Sequence, residues 1–264
     1  MIKFPKKIND NKIKKFFLSN NLDNLISLSK SPDLKTNQLK LDSPFKPDLR
    51  DLYRLYQLVV LNKRTTILEF GSGWSSLIFA LALLELKKKF KYKVSNLRRN
   101  NPFELFVLEN DKKFLNISKK RIDNYFELIK DKKNIHYCFS SVNMTSYNDK
   151  IATEYNKMPM CNPDFIYLDG PDQFNIKGSI NNFSTRHNDM MPMVCDILKI
   201  EYFLTPGTII VVDGRSANSK FMKDNFKRNW IYKNDKKFDQ HIFILNDPVL
   251  GKYNKRQLEF YNKK

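Results

Sequence analysis

The chain has 264 residues, enough for one large α/β domain with a small attachment. A 41% hydrophobic fraction supports a buried core and excludes wholesale disorder, and no stretch approaches the roughly 18 uncharged apolar residues of a membrane span. The net charge of +19 raises nucleic acid as a partner, yet the lysines are scattered in pairs such as Lys14-Lys15, Lys132-Lys133 and Lys236-Lys237, and a solvated basic surface accounts for them at least as well.

Three cysteines, Cys138, Cys161 and Cys195, form an odd set with no CxxC pair, which argues against a disulfide framework or a thiolate zinc site. The first residues lack the apolar core and small-residue cleavage site of a signal peptide, so the expected compartment is the cytoplasm.

Residues 1–48 are Lys- and Asn-rich, with short amphipathic stretches at 13–17 and 22–28, and read as a helical extension. Ser43-Pro44-Phe45-Lys46-Pro47 is an extended breaker. Asp48 is then placed to cap a helix over 49–61, with Leu52, Leu55, Tyr56 and Val59 on one face. From there strands and helices alternate. Strands are expected at 65–70, 103–108, 134–139, 164–168 and 208–212, with helices over 75–86, 112–129, 190–203 and 219–226. Two closing strands, 230–232 and 240–245, are separated by a short polar segment and should form an antiparallel hairpin. This order predicts an α/β Rossmann-like three-layer sandwich, a mostly parallel seven-stranded sheet with a C-terminal antiparallel hairpin. It occupies 49–250, leaving 251–264 as a basic C-terminal tail. Ligands of such sheets bind at the carboxyl ends of the strands, beside strand one.

The motifs fall there. The first strand runs into Leu68-Glu69-Phe70-Gly71-Ser72-Gly73-Trp74-Ser75-Ser76. The glycines allow a tight turn and a close ligand approach. Glu69 would repel a pyrophosphate but suits an amine-bearing ligand. Ser76 stands where a dinucleotide fingerprint needs its third glycine, which disfavours an NAD-linked oxidoreductase. Here the sequence resembles the class I S-adenosylmethionine-dependent methyltransferases, in particular small-molecule and surface-polysaccharide-associated O-methyltransferases. The resemblance spans roughly residues 45–245. It implies that Glu69, Gly71, Ser72 and Gly73 hold the methionine part of S-adenosylmethionine. Glu109, ending the next strand, would bond the ribose hydroxyls. It lies 36 residues beyond Gly73, where about 20 is usual, and the basic stretch 87–101 reads as an inserted, solvated loop. Ser141, after the third strand, is expected near the adenine.

Asp169 ends the fourth strand in Asp164-Phe165-Ile166-Tyr167-Leu168-Asp169-Gly170-Pro171, over the place of a transferable methyl group. Asp213 ends the fifth, in Ile210-Val211-Val212-Asp213-Gly214-Arg215. Neighbouring strands are roughly 5 Å apart, so Asp169 and Asp213 could share a divalent cation, for which Mg²⁺ suits hard carboxylates. This resembles the metal-dependent O-methyltransferases, although those follow the second Asp with Asn and this chain has Gly214. The alternative is that Asp169 alone positions or deprotonates an acceptor hydroxyl. His187, in a polar loop after the fourth strand, is the candidate general base, and a plain surface histidine is an equal reading. Arg215 suits an anionic acceptor group or a salt bridge to Asp169 or Asp172. Asp-Gly-Pro-Asp in place of Asn/Asp-Pro-Pro-Tyr disfavours base-amine methylation. The expected function is O-methylation of a small or sugar-like acceptor. Methylation of RNA or other nucleic acid and a non-catalytic binding role on this fold remain as alternatives, and the oligomeric state is open.

Overall fold

A computed structural model of the chain describes residues 2–5, 9–31 and 44–263. Ser43 of the expected breaker, like residues 32–42, lies outside the described residues. Two short helices, α1 (Asp10–Ser19) and α2 (Asp23–Leu28), bury Ile13, Phe17, Leu25 and Ile26. Helix α3 (Leu49–Leu61) begins as the sequence indicated: the Asp48 carboxylate accepts the N–H groups of Arg50 (2.8 Å) and Asp51 (3.1 Å). Leu52, Leu55, Tyr56 and Val59 are all buried.

The main domain continues through β1 (Thr66–Phe70), α4 (Trp74–Val94), β2 (Glu104–Glu109), α5 (Lys112–Leu128) and β3 (Ile135–Phe139). Then come β4 (Val142–Tyr147), β5 (Lys150–Tyr155), β6 (Phe165–Leu168), β7 (Ile176–Lys177), α6 (Asp196–Lys199), β8 (Ile209–Asp213) and α7 (Ser216–Asn225). The chain closes with β9 (Trp230–Asp235), β10 (Gln240–Leu245) and α8 (Gly251–Asn262). Seven strands form one sheet in the order β3-β2-β1-β6-β8-β10-β9. β3, β2, β1, β6 and β8 pair in parallel, while β10 is antiparallel to both β8 and β9. This is the expected Rossmann-like α/β sheet with its C-terminal hairpin.

Alternate residues of each strand feed two cores, as the period of two requires. Ile67, Leu105, Val107, Phe165 and Val211 pack under α1 to α5 and α8. Leu68, Phe70, Leu108, Ile166 and Val212 face the other way. That second face departs from expectation. No helix crosses between β3 and β6; instead β4, β5 and β7 form a second sheet that buries Val142, Ala152 and Ile176 against it. The helix expected over 190–203 shrinks to α6 and a 3₁₀ turn at Glu201–Phe203. Residues 193–195 are bonded to β5, with Thr153 N–H donating to the Met193 carbonyl and Cys195 N–H to the Thr153 carbonyl. Those backbone groups are therefore spent on strand pairing. The inserted loop is also mostly helix, since α4 runs to a buried Val94.

Residues 251–262, read as a basic tail, form α8 and bury Phe260 and Tyr261. The anchor is Asp164, just ahead of β6. Its carboxylate accepts the backbone N–H groups of Thr65 and Thr66 and the hydroxyls of Thr65 and Tyr261 (2.7 Å). Arg64 stacks over the Tyr261 ring at 3.7 Å. Hydrogen bonds to a buried charge contribute about 1.5–3 kcal/mol. The variant Tyr261→Phe should therefore lose about that much unfolding free energy in urea titration; an unchanged midpoint would show that α8 docks by apolar contact alone.

Candidate active site

The chain lays down β1, β2 and β3 outward in one direction and β6 and β8 in the other, so the strand order reverses between β1 and β6. At such a switch point the loops diverge and leave a crevice at the strands' carboxyl ends. A cleft of about 1000 Å³ lies there, lined by the β1, β2, β6 and β8 ends, residues 44–52 and the β9–β10 turn. A second concavity, at Ala80, Leu83 and Lys133, holds only about 10 Å³, room for one water. Phe70 pairs with Leu108 and Leu168, and Leu168 with Val212. The residues that follow, Gly71, Glu109, Asp169 and Asp213, consequently come level at the cleft floor.

The β1 end carries the tightest constraint. Gly71 has φ +96°, and a Cβ on it would meet Gly170 N at 3.0 Å. A Cβ on Gly170 would come within 2.6 Å of Gly71 N. The two loops therefore touch backbone to backbone. Behind them Glu69 is 1% exposed. One of its oxygens accepts the Ser75 hydroxyl at 2.5 Å, and the other, Oε2, has no partner. Burial pushes this carboxyl up to about 8, against the pull of the Ser75 and Ser76 hydroxyls. Gly73 begins α4, whose first turn presents N–H groups to the same end of the cleft.

Glu109 is held rigidly. It accepts the Ser72 hydroxyl (2.8 Å) and the N–H groups of Asn110 (2.8 Å) and Asp111 (3.0 Å). Burial raises its pKa, and those three donors oppose the rise. A fixed carboxylate with lone pairs to spare suits vicinal hydroxyls. Trp74 and Phe114 add aromatic surface beside it. The Trp74 indole is braced by Arg121 at 3.4 Å on its face and donates its N–H to the Phe45 carbonyl at 3.1 Å, which ties residues 44–47 over the cleft.

Asp169 and Asp213 form the other half. Enclosure by the cleft walls pushes the Asp169 carboxyl up to about 7, with Arg215 pulling it down and Asp213 and Glu109 pushing it up. Its side chain is nevertheless 54% exposed, so water in the open cleft holds it nearer the ordinary carboxylate range. Asp213 accepts the Tyr167 hydroxyl at 2.7 Å, and burial raises its pKa. Opposite stands Asp51 of α3, which takes the Gln240 amide and is raised well above the usual range, first by burial and then by the Asp213 charge. Arg54 anchors this wall through Gln240 (2.9 Å) and Asp235 (2.6 Å). Among the described residues, no group of three or more His, Cys, Asp and Glu side chains is gathered as a set that could hold a metal ion.

Gly71, Ser72, Gly73, Glu109, Asp169 and Asp213 are thus brought to one cleft, and Glu69 is buried behind its glycine turn, outside the lining. Two further expected residues also lie off the lining. His187 lies outside the cleft lining, 61% exposed, with its Nδ1 accepting the Asp189 N–H at 3.2 Å. Ser141 also lies off the lining, where its hydroxyl accepts the Asn156 amide at 2.7 Å. Asp51 and Gly170 are lining residues that sequence reasoning passed over. Asp51 looks like an ordinary acidic residue in a helix's first turn, and only docking of α3 over the sheet gives it a site. Gly170 did carry a signal, a glycine directly after a strand-end aspartate.

No family model and no curated protein matches the chain. Among solved structures it is similar to an O-methyltransferase from Bacillus cereus in complex with S-adenosylhomocysteine, at 15% identity, covering 92% of each chain with a TM-score of 0.38. It is also similar to the O-methyltransferase TomG from Streptomyces achromogenes, involved in tomaymycin synthesis, in complex with S-adenosylmethionine. There the identity is 12%, the coverage 85% of this chain and 96% of the other, and the TM-score 0.38. At these scores the likeness is one of general chain path.

Two outcomes test the site's construction. Gly170→Ala should drive the β1 and β6 loops apart and abolish ligand binding in the cleft while the helices persist by circular dichroism; unchanged binding would mean that the loops do not need their contact. Glu69 has a folded pKa raised above its unfolded value, so its stability is complete below about pH 4.5 and is lost as pH rises through about 8. Glu69→Gln lacks that loss. The melting temperatures of wild type and Glu69→Gln should therefore separate progressively in the variant's favour from pH 5 to pH 9, and parallel curves would show Glu69 to be already ionised in the folded protein.

Proposed function

We propose that the protein is an S-adenosylmethionine-dependent methyltransferase acting on a hydroxyl of a small or sugar-like acceptor. The observation that carries this reading is the buried, unpartnered Oε2 of Glu69 behind a glycine turn, one strand away from the fixed carboxylate of Glu109. An aminocarboxylate nucleoside needs both features: a carboxyl group whose ionised form its ammonium would favour, and an acceptor pair for its ribose hydroxyls. Gly71 and Gly73 let the backbone approach the ligand, and the α4 N-terminus offers N–H groups to its carboxylate. When bound, the cofactor supplies a sulfonium methyl group that is already activated.

The protein's work is then alignment and proton removal. Asp169 is the residue for the second task. It lies level with Gly71 and Glu109 and is open to the cleft, so its carboxylate can reach an acceptor hydroxyl and take its proton. His187 stands away from this lining, so Asp169 carries the base role alone. Residues 44–52 and the turn bearing Phe238 close the acceptor side, and the volume of about 1000 Å³ leaves room for a small molecule beside the nucleoside. No helix among the described residues is long and apolar enough to cross a membrane.

Calorimetric titration with S-adenosylmethionine and S-adenosylhomocysteine, with NAD(H) as control, tests the cofactor. Micromolar binding of the first two alone is expected, and absence of binding would reduce the glycine turn to a structural feature. With an acceptor from a screen of hydroxylated compounds, Asp169→Asn should lower kcat by roughly 10²–10⁴ with cofactor affinity nearly unchanged, the range for loss of a general base. Full turnover in that variant would sink the role given to Asp169.

A further inference from the structure

The pairing of Asp169 with Asp213 at adjacent strand ends invites a divalent cation, yet the structure puts a cation of its own there. Gly214, with φ +59° and its N–H donated to the Asp239 carbonyl at 2.9 Å, turns the chain sharply after β8. The turn returns Arg215 over the end of β6. One guanidinium nitrogen of Arg215 donates to the carbonyls of Asp169 (2.7 Å) and Pro171 (3.2 Å). Its Nε is buried, has no hydrogen-bond partner, and lies 3.8 Å from Asp169 Oδ1. The side chain is only 14% exposed, so this is a held cation and not a surface arginine. Its charge opposes the rise that burial causes in Asp169 and Asp213. Gly214, directly after Asp213, adds no side-chain oxygen to the pair, and no third His, Cys, Asp or Glu joins them among the described residues. The donor set and the local charge therefore do not fit a metal ion.

We propose that the Arg215 guanidinium, held beside Asp169, takes the place of a divalent cation at the Asp169 and Asp213 strand ends, so that the site works without metal and Arg215 is the positioning residue for Asp169. This rests on the methyltransferase reading above. In the step it serves, the acceptor hydroxyl oxygen forms a bond to the methyl carbon of S-adenosylmethionine. The carbon–sulfur bond breaks with its electron pair remaining on sulfur, which leaves neutral S-adenosylhomocysteine, and the hydroxyl proton passes to the Asp169 carboxylate. A guanidinium fixed by two carbonyls holds that carboxylate in place beside the acceptor, the positioning a metal ion would otherwise supply.

The test is Mn²⁺ titration of the intact protein, followed by electron paramagnetic resonance, with S-adenosylhomocysteine binding measured by calorimetry on the same samples. Wild type should show no saturable binding up to roughly millimolar Mn²⁺. Arg215→Gln retains an amide donor for the two carbonyls but no charge, and should bind Mn²⁺ roughly tenfold or more tightly than wild type. Arg215→Lys restores the charge and should behave as wild type. A merely structural arginine would not produce a gain of metal affinity that lysine reverses. Saturable wild-type binding that disappears in Asp213→Asn would overturn the proposal, as would an Arg215→Gln protein that remains folded by circular dichroism and gains nothing. Failure of S-adenosylhomocysteine to bind wild type would sink the cofactor reading instead, and the Mn²⁺ result is independent of it.

Discussion

Everything at the cleft floor depends on the closeness of two loops. Gly71 and Gly170 meet with no room for a side chain on either, which sets the end of β1 against the end of β6 at the place where the strand order reverses. A β-carbon at Gly170 would sit 2.6 Å from a backbone nitrogen, and a packed interior relieves such an overlap only by moving backbone. That contact places Asp169 level with the glycine turn, brings Ser72 within reach of Glu109, and leaves the first turn of α4 facing the cleft. The glycines serve the geometry of the protein first, and a ligand can use it because it is already rigid.

Charge is distributed with a purpose that the total conceals. The chain carries +19 overall, yet the cleft buries or half-buries Glu69, Glu109, Asp51 and Asp213 around Asp169. Removing a carboxylate from water is costly unless its oxygens are bonded. Asp164 shows the compensated case, with backbone N–H groups and two hydroxyls closing around it, and its role is to hold β1, β6 and α8 together. Glu69 is the opposite case: it is equally buried, yet one oxygen has no partner and its carboxyl is raised to about 8. A fold tolerates that kind of local cost where binding relieves it.

The far wall of the cleft is assembled from parts distant in sequence. Asp51 belongs to α3, Asp213 to β8, and Gln240, which bonds Asp51, opens β10. Arg54 and Asp235 lock the same wall from α3 and β9. Since α3 and the closing hairpin meet here, the shape of this wall follows from their docking on the sheet and not from the motifs at the strand ends.

Local chemistry determined much of this protein from its sequence alone. Short apolar runs marked the seven strands of the main sheet, Asp48 marked the start of α3, and a glycine or an acid at or directly after a strand's end marked Gly71, Glu109, Asp169 and Asp213. Each of those signals rests on neighbours along the chain. The second sheet escaped because 142–155 is polar and only half-buried, so it lacks the apolar run that identifies a strand. The helix expected over 190–203 failed because pairing with β5 claimed its backbone groups first. His187 and Ser141 were assigned by position in the chain, and their side chains are not among the residues that line the cleft. Asp51 and the inward Arg215 became visible only in three dimensions. Their placement depends on how separate elements dock, and no spacing within one segment encodes the angle at which two segments meet.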